Sequence, residues 1–140
     1  MRLPASGCVA LGLGLGVLFA AIPLMAHHSF AAEYDSKQPI KITGAVTKVE
    51  WLNPHVYYYV DVKGGDGKLV NFAVEGGTPN QLYRQGWRKN SLRIGDVITV
   101  NGFKAKDGSN HLSGRLVTLS DGRRVLGGSS EDAGPGAPEN

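Results

Sequence analysis

The sequence predicts an all-β domain with one small helix: three strands, the helix, then two more strands. Three observations carry that expectation. Twenty glycines and seven prolines stand in a chain of 140 residues that is 41% hydrophobic, which suits a turn-rich globular fold better than long helices or wholesale disorder. Apolar and polar residues alternate with period two in several short runs separated by glycine-rich turns. A single segment, opened by Thr78-Pro79, breaks that period and takes a helical one.

The elements follow in order. Residues 40–51 are rich in β-branched side chains but change phase, since Ile42 and Val46 share one face whereas Val49 and Trp51 share the other. A bend or bulge between them, near Gly44, is the simplest way to reconcile them. Asn53-Pro54 interrupts the run. Residues 55–63 then alternate cleanly, with Val56, Tyr58, Val60 and Val62 on one side and His55, Tyr57, Tyr59 and Asp61 on the other. Gly64-Gly65-Asp66-Gly67 reads as a hairpin turn into Val70, Phe72 and Val74, which pairs these two strands antiparallel. Thr78 is an N-cap with Pro79 at the first helical position, and Gly86 ends the helix after about two turns. Ile94-Gly95-Asp96 turns the chain into residues 97–105, Lys106-Asp107-Gly108-Ser109-Asn110 turns it again, and residues 112–119 form the last long strand. Arg124-Val125-Leu126 is short enough to extend the sheet.

A long bent first strand and a helix between strands 3 and 4 are the order of a five-stranded OB-fold-like Greek-key barrel. Closure into a barrel also leaves few exposed edges in a small chain. Another small barrel or sandwich with similar spacing is the competing architecture.

Residues 1–26 read as a signal peptide: Arg2 is the positive start, residues 9–22 are apolar and broken only by glycine, and Pro23 precedes Leu24-Met25-Ala26. The apolar stretch is short for a membrane span. Cutting after Ala31 is the alternative. The organisation expected is therefore a signal over 1–26, a domain over 27–126 with an extended N-terminal arm over 27–39, and a disordered tail over 127–140, which lacks any large apolar residue from Gly127 on.

Composition removes several functions. The chain has 15 Lys and Arg against 12 Asp and Glu, with a formal charge of +3, and loss of the leader lowers it to +2 because only Arg2 goes with it. That balance argues against nucleic acid as partner. Cys8 is the single cysteine and lies in the leader, so neither a disulfide framework nor a thiolate zinc site can form. Arg84, Arg88, Lys89 and Arg93 make an acid-free basic run, read as solvated charge.

At the family level, His27-His28-Ser29-Phe30-Ala31-Ala32-Glu33-Tyr34-Asp35, the segment Gly44-Ala45-Val46-Thr47-Lys48-Val49-Glu50-Trp51 running into Asn53-Pro54-His55, Glu75 with Pro79-Asn80 and Leu82, Gly86-Trp87, and Gly95-Asp96-Val97 with Lys106-Asp107-Gly108-Ser109 together resemble a family of small exported bacterial proteins, the domain of unknown function numbered 6152. The resemblance covers nearly all of residues 26–127. It implies an exported single domain and brings no activity, cofactor or catalytic residue with it.

Two candidate sites remain. The first is a ligand-binding face of His55, Tyr57, Tyr59 and Asp61 with Asn71 and Glu75 on the neighbouring strand, since OB-type barrels bind across strands 2 and 3 and tyrosine rings both stack and hydrogen-bond. Its ligand would be a small molecule, an envelope polymer or a protein partner, met in the periplasm or outside the cell by a monomer. Cross-strand packing of good strand residues explains the same pattern without a ligand. The second is a copper or zinc site: cleavage after Ala26 frees the amine of His27, which chelates with its own ring, and His28 or His55 adds a further imidazole. An unstructured polar start and a turn histidine are the bland alternatives. No nucleophile elbow or catalytic base with an orienting partner is readable from the spacing, although closure of the barrel would bring His55 and His111 toward one another.

Overall fold

The structure is a computed structural model that describes residues 30–128. The expected leader, the arm residues His27 and His28, and the tail from residue 129 on lie outside the described residues. The elements are α1 (Phe30–Glu33), β1 (Tyr34–Trp51), β2 (Val56–Lys63), β3 (Leu69–Glu75), α2 (Pro79–Arg84), β4 (Val97–Ala105), β5 (His111–Thr118) and β6 (Arg124–Leu126).

β1 pairs antiparallel with β2 on one side and β4 on the other, β2 with β3, and β4 with β5. Ala73 to Glu75 of β3 then run parallel to His111 to Ser113 of β5, which closes the ring. This is the five-stranded OB-fold-like barrel expected from the sequence, with α2 between β3 and β4 and β6 added antiparallel to β5.

The phase change in β1 is resolved by a bulge, but not at Gly44. The register with β2 slips between Val46 and Lys48, leaving Thr47 as the extra residue, and this brings Val49 and Trp51 back to the side of Ile42 and Val46. All four belong to the core or pack against it. Gly44 has a different duty. A Cβ built there would lie 2.1 Å from the Asp61 carbonyl oxygen, so β1 and β2 approach too closely at that point for any side chain.

The arm also differs from expectation. It is a helical turn over Phe30–Glu33 followed directly by β1, which starts at Tyr34 rather than at residue 40. Tyr34 pairs with Ala105, and pairing resumes at Pro39 with Phe103. Asp35 shapes the residues between them, accepting from the Lys37 amide at 2.9 Å and the Gln38 side-chain amide at 3.0 Å. The polar run Asp35-Ser36-Lys37-Gln38 carries no strand period, which hid this start.

α2 is short and well capped. The Thr78 hydroxyl accepts from the Gln81 amide at 3.3 Å, and the Gln81 side-chain oxygen accepts from the Thr78 amide at 3.2 Å, a reciprocal capping box. Gly86, at φ +93°, lets the chain leave the helix. Leu82, Trp87 and Leu92 of this connection join Val46, Val56, Tyr58, Val60, Val74, Ile98, Val100, Leu112 and Val117 in one core. Each fully buried side chain of this kind contributes about 1.5–3 kcal/mol.

Candidate functional site

Because Val56, Tyr58 and Val60 point inward, His55, Tyr57, Tyr59 and Asp61 stand on the outer face of β2. The register sets Tyr57 opposite Glu75, Tyr59 opposite Ala73 and Asp61 opposite Asn71. All six sequence-predicted ligand residues therefore share one surface. Ala73 is also paired with His111 on the next strand, and it carries only a methyl group. The rings of Tyr57 and His111 stack, their centroids 5.9 Å apart and their planes 21° from parallel.

Glu75 is the centre of this surface. It is only 9% exposed, and one carboxylate oxygen accepts from the Tyr34 hydroxyl while the other accepts from Nδ1 of His55. A carboxylate only accepts, so the proton of this bond is carried by Nδ1 of His55. Burial, then the hydrogen bond to Glu75 and its charge, push the Tyr34 phenol far above the usual tyrosine range. Tyr57 is pushed up to about 12, again by burial first and by the Glu75 charge second. Both phenols are neutral donors at any physiological pH.

Tyr34 reaches Glu75 because the arm is fastened to the barrel. Phe30 stacks on Tyr34 at 5.6 Å and meets Phe103 edge-on at 5.5 Å. The Arg115 guanidinium lies 4.5 Å from the Phe30 ring and 5.8 Å from that of Phe103, a cation–π arrangement. Lys106 completes the attachment, its ammonium donating to the Ala31 carbonyl at 2.5 Å and its amide to the Glu33 carbonyl at 2.9 Å.

Further along β2 the surface is polar and already bonded. The Tyr59 hydroxyl donates to Glu50 at 2.9 Å, Lys48 pairs with Glu50 at 2.5 Å and its ammonium sits 5.1 Å from the Tyr59 ring centroid. The Lys48 hydrogen bond, and then that of Tyr59, hold the Glu50 carboxyl below its ordinary value. Asn71 donates to Asp61 at 2.8 Å and to the hydroxyl of the bulged Thr47 at 3.2 Å. The predicted set thus separates into His55, Tyr57 and Glu75 at one end and Asp61 with Asn71 at the other, with Tyr59 between them.

Sequence reasoning missed Tyr34 as a member of this cluster, and nothing in its spacing could have placed it, since the contact is made across 41 residues. His55 and His111 flank the same patch without bonding one another: one rests on Glu75 and the other on Tyr57. Of the three metal candidates, His55 alone is described, and among the described residues no three His, Cys, Asp or Glu are grouped so as to hold a metal ion. Trp87 is core, whereas Trp51 is half-buried and edge-on to Tyr83 at 5.5 Å. An open depression of about 550 Å³ adjoins His111, lined also by Ala32, Glu33, Ala105, Lys106 and Asp107.

The arrangement offers two stacked rings, the imidazole of His55, and carboxylates at Glu50, Asp61 and Glu75, with the ammonium of Lys48 among them and that of Lys106 in the depression beside His111. Such a surface suits stacking and hydrogen bonding to a flat or hydroxylated group. No helix of the described residues is long and apolar enough to cross a membrane.

No curated protein matches the sequence. Among solved structures, a mitochondrial single-stranded DNA binding protein from S. cerevisiae, Rim1, is similar at a TM-score of 0.47 and 14% identity, over 59% of this chain and 93% of that one. The profile of a family of unknown function, DUF6152, matches residues 15–114, and the chain belongs to that family.

Proposed function

We propose that the protein is an exported, periplasmic binding module that takes its ligand on the outer face of β2 and β3, at the end where Tyr57 and His111 stack beside Glu75. The observation that carries this reading is the construction around Glu75: an outward-facing carboxylate gripped by Tyr34 from the arm and by His55, with a stacked ring pair alongside. The ligand class that fits is flat or sugar-like and not polyanionic, such as a small molecule or an envelope glycan. The test is calorimetric titration of the protein with soluble envelope-glycan fragments. Tyr57→Ala should weaken binding about tenfold or more, the loss of one stacking platform, in a variant that still unfolds cooperatively. Equal affinity in that variant would remove the face from consideration.

One observation favours a second reading, copper or zinc binding. Metal-ligating histidines characteristically donate their other ring nitrogen to a carboxylate, and His55 does this toward Glu75. His27 and His28 would have to supply the remaining nitrogens. The mass of the exported protein decides whether they are present: an amino terminus at His27 keeps the site, and one at Ala32 eliminates it. With His27 present, Cu(II) titration should show stoichiometric binding that is lost in His27→Ala and weakened in His55→Ala.

A further inference from the structure

The basic run of the sequence does not stand alone on the surface. Arg84 ends α2 and is exposed, as are Arg88, Lys89 and Arg93 in the loop that follows. Beside them the end of β1 and the flank of α2 bring Trp51 and Tyr83 together, and Leu52 follows Trp51 in the chain. Trp51 is half-buried and meets Tyr83 edge-on at 5.5 Å, Tyr83 is 41% exposed, and Leu52, the next residue after Trp51, is 59% exposed. The Arg88 guanidinium lies 5.2 Å from the Tyr83 ring centroid and donates to the carbonyls of Tyr83 and Trp87 at 3.2 and 2.6 Å. Arginine and aromatic groups are therefore one continuous patch. Among the described residues no carboxylate pairs with the side chain of Arg84, Arg88, Lys89 or Arg93, although Asp96 accepts from the Arg93 backbone amide at 2.9 Å.

Two properties coincide here. Four exposed cations outnumber Asp96 and Asp121, the acids that line the depression beside Arg88 and Arg93, and favour an anionic surface, each strengthening attachment about fivefold near an anionic bilayer. Tryptophan and tyrosine with an exposed leucine are the residues that settle at the headgroup level, where one end of the ring is apolar and the other wet. We propose that this patch, formed by Trp51, Leu52, Tyr83, Arg84, Arg88 and Lys89, docks the protein peripherally on an anionic lipid surface. None of these residues belongs to the set around Glu75 that carries the proposed ligand site.

The test is co-sedimentation of the full chain with vesicles of equal parts phosphatidylglycerol and phosphatidylcholine, and with vesicles of phosphatidylcholine alone. Sedimentation with the anionic vesicles that falls as salt is raised supports docking, provided that Arg84→Glu with Lys89→Glu reduces it at least twentyfold and Leu52→Ser reduces it several-fold. Both residues are exposed, and the variant should still unfold cooperatively, its midpoint lowered by no more than the loss of a basic side chain from the last turn of α2. Equal sedimentation with both vesicle types, unchanged by Arg84→Glu with Lys89→Glu, would show that the charges of the patch take no part and overturn the proposal. So would recruitment to neither, the result expected if Glu131, Asp132 and Glu139 of the same chain or a soluble acidic protein covers the patch. These outcomes are independent of the glycan titration, since Tyr57 takes no part in them.

Discussion

Tyr34→Phe isolates the hydrogen bond on which the arm and the candidate site both depend. The substitution keeps the ring, and so keeps the stack on Phe30 and the neighbourhood of Phe103; it removes only the hydroxyl that donates to Glu75. A hydrogen bond to a charged partner is worth about 1.5–3 kcal/mol. Tyr34 is 4% exposed and Glu75 9%, so water cannot readily replace the lost donor, and a cost of about 2 kcal/mol is expected. For a domain of this size that lowers the thermal midpoint by about 8–16 °C. Urea denaturation of the wild type, Tyr34→Phe, Glu75→Gln and the double variant measures it. In the Glu75→Gln background the acceptor is a neutral amide and the bond an ordinary one of about 1 kcal/mol. Tyr34→Phe should cost about half as much there, a coupling of about 1 kcal/mol. A loss below about 0.5 kcal/mol, or an equal loss in both backgrounds, would refute the role assigned to the charge on Glu75.

Two further outcomes follow from the packing and the phenols. Gly114→Ala should destabilise by about 1–3 kcal/mol, the range for overpacking, because its Cβ would lie 2.6 Å from the Tyr58 hydroxyl and 2.7 Å from Cγ1 of Val74. Tyr58→Phe should by contrast stabilise by about 1 kcal/mol, since that buried hydroxyl has no hydrogen-bond partner among the described residues; denaturant midpoints of the two variants should move in opposite directions. With base, the contribution of Tyr57 is fully present below its ordinary value of 10 and is lost as pH rises toward about 12, because the folded state holds the proton more tightly than the unfolded chain. Stability measured against pH should therefore decline across that window, and decline less in Tyr57→Phe.

The strands were legible because burial imposes a period on them. Val56, Tyr58 and Val60 alternate with Tyr57, Tyr59 and Asp61 wherever one face must be dry, and that fixed both the hairpin and the membership of the outer face. The phase change in β1 was legible as a defect, yet its position was not: a glycine inside a strand signals either a bulge or a close approach, and at Gly44 it was the close approach to Asp61. The start of β1 was hidden for another reason. Asp35-Ser36-Lys37-Gln38 is held by side-chain hydrogen bonds to its own backbone and amide, which leave no hydrophobic pattern. Tyr34 and His111 reach the site only through closure of the ring, and closure is a property of the whole chain.

That closure also constrains how a ligand would bind. Glu75, Glu50, Tyr59, Asp61 and Asn71 are each engaged within the face, so few polar groups stand ready for a newcomer. What remains is the ring surface of Tyr57 and His111, Nε2 of His55 and the imidazole nitrogens of His111, none of which makes a hydrogen bond among the described residues. Affinity must then come chiefly from stacking, with one or two hydrogen bonds to set orientation. A ligand that instead competed for Glu75 would have to displace Tyr34 and offset the roughly 2 kcal/mol which that bond contributes, loosening the arm as it bound. Stacking with the arm in place leaves residues 35–38 as resistant to proteolysis as before, whereas displacement exposes them, so digestion with and without ligand separates the two modes.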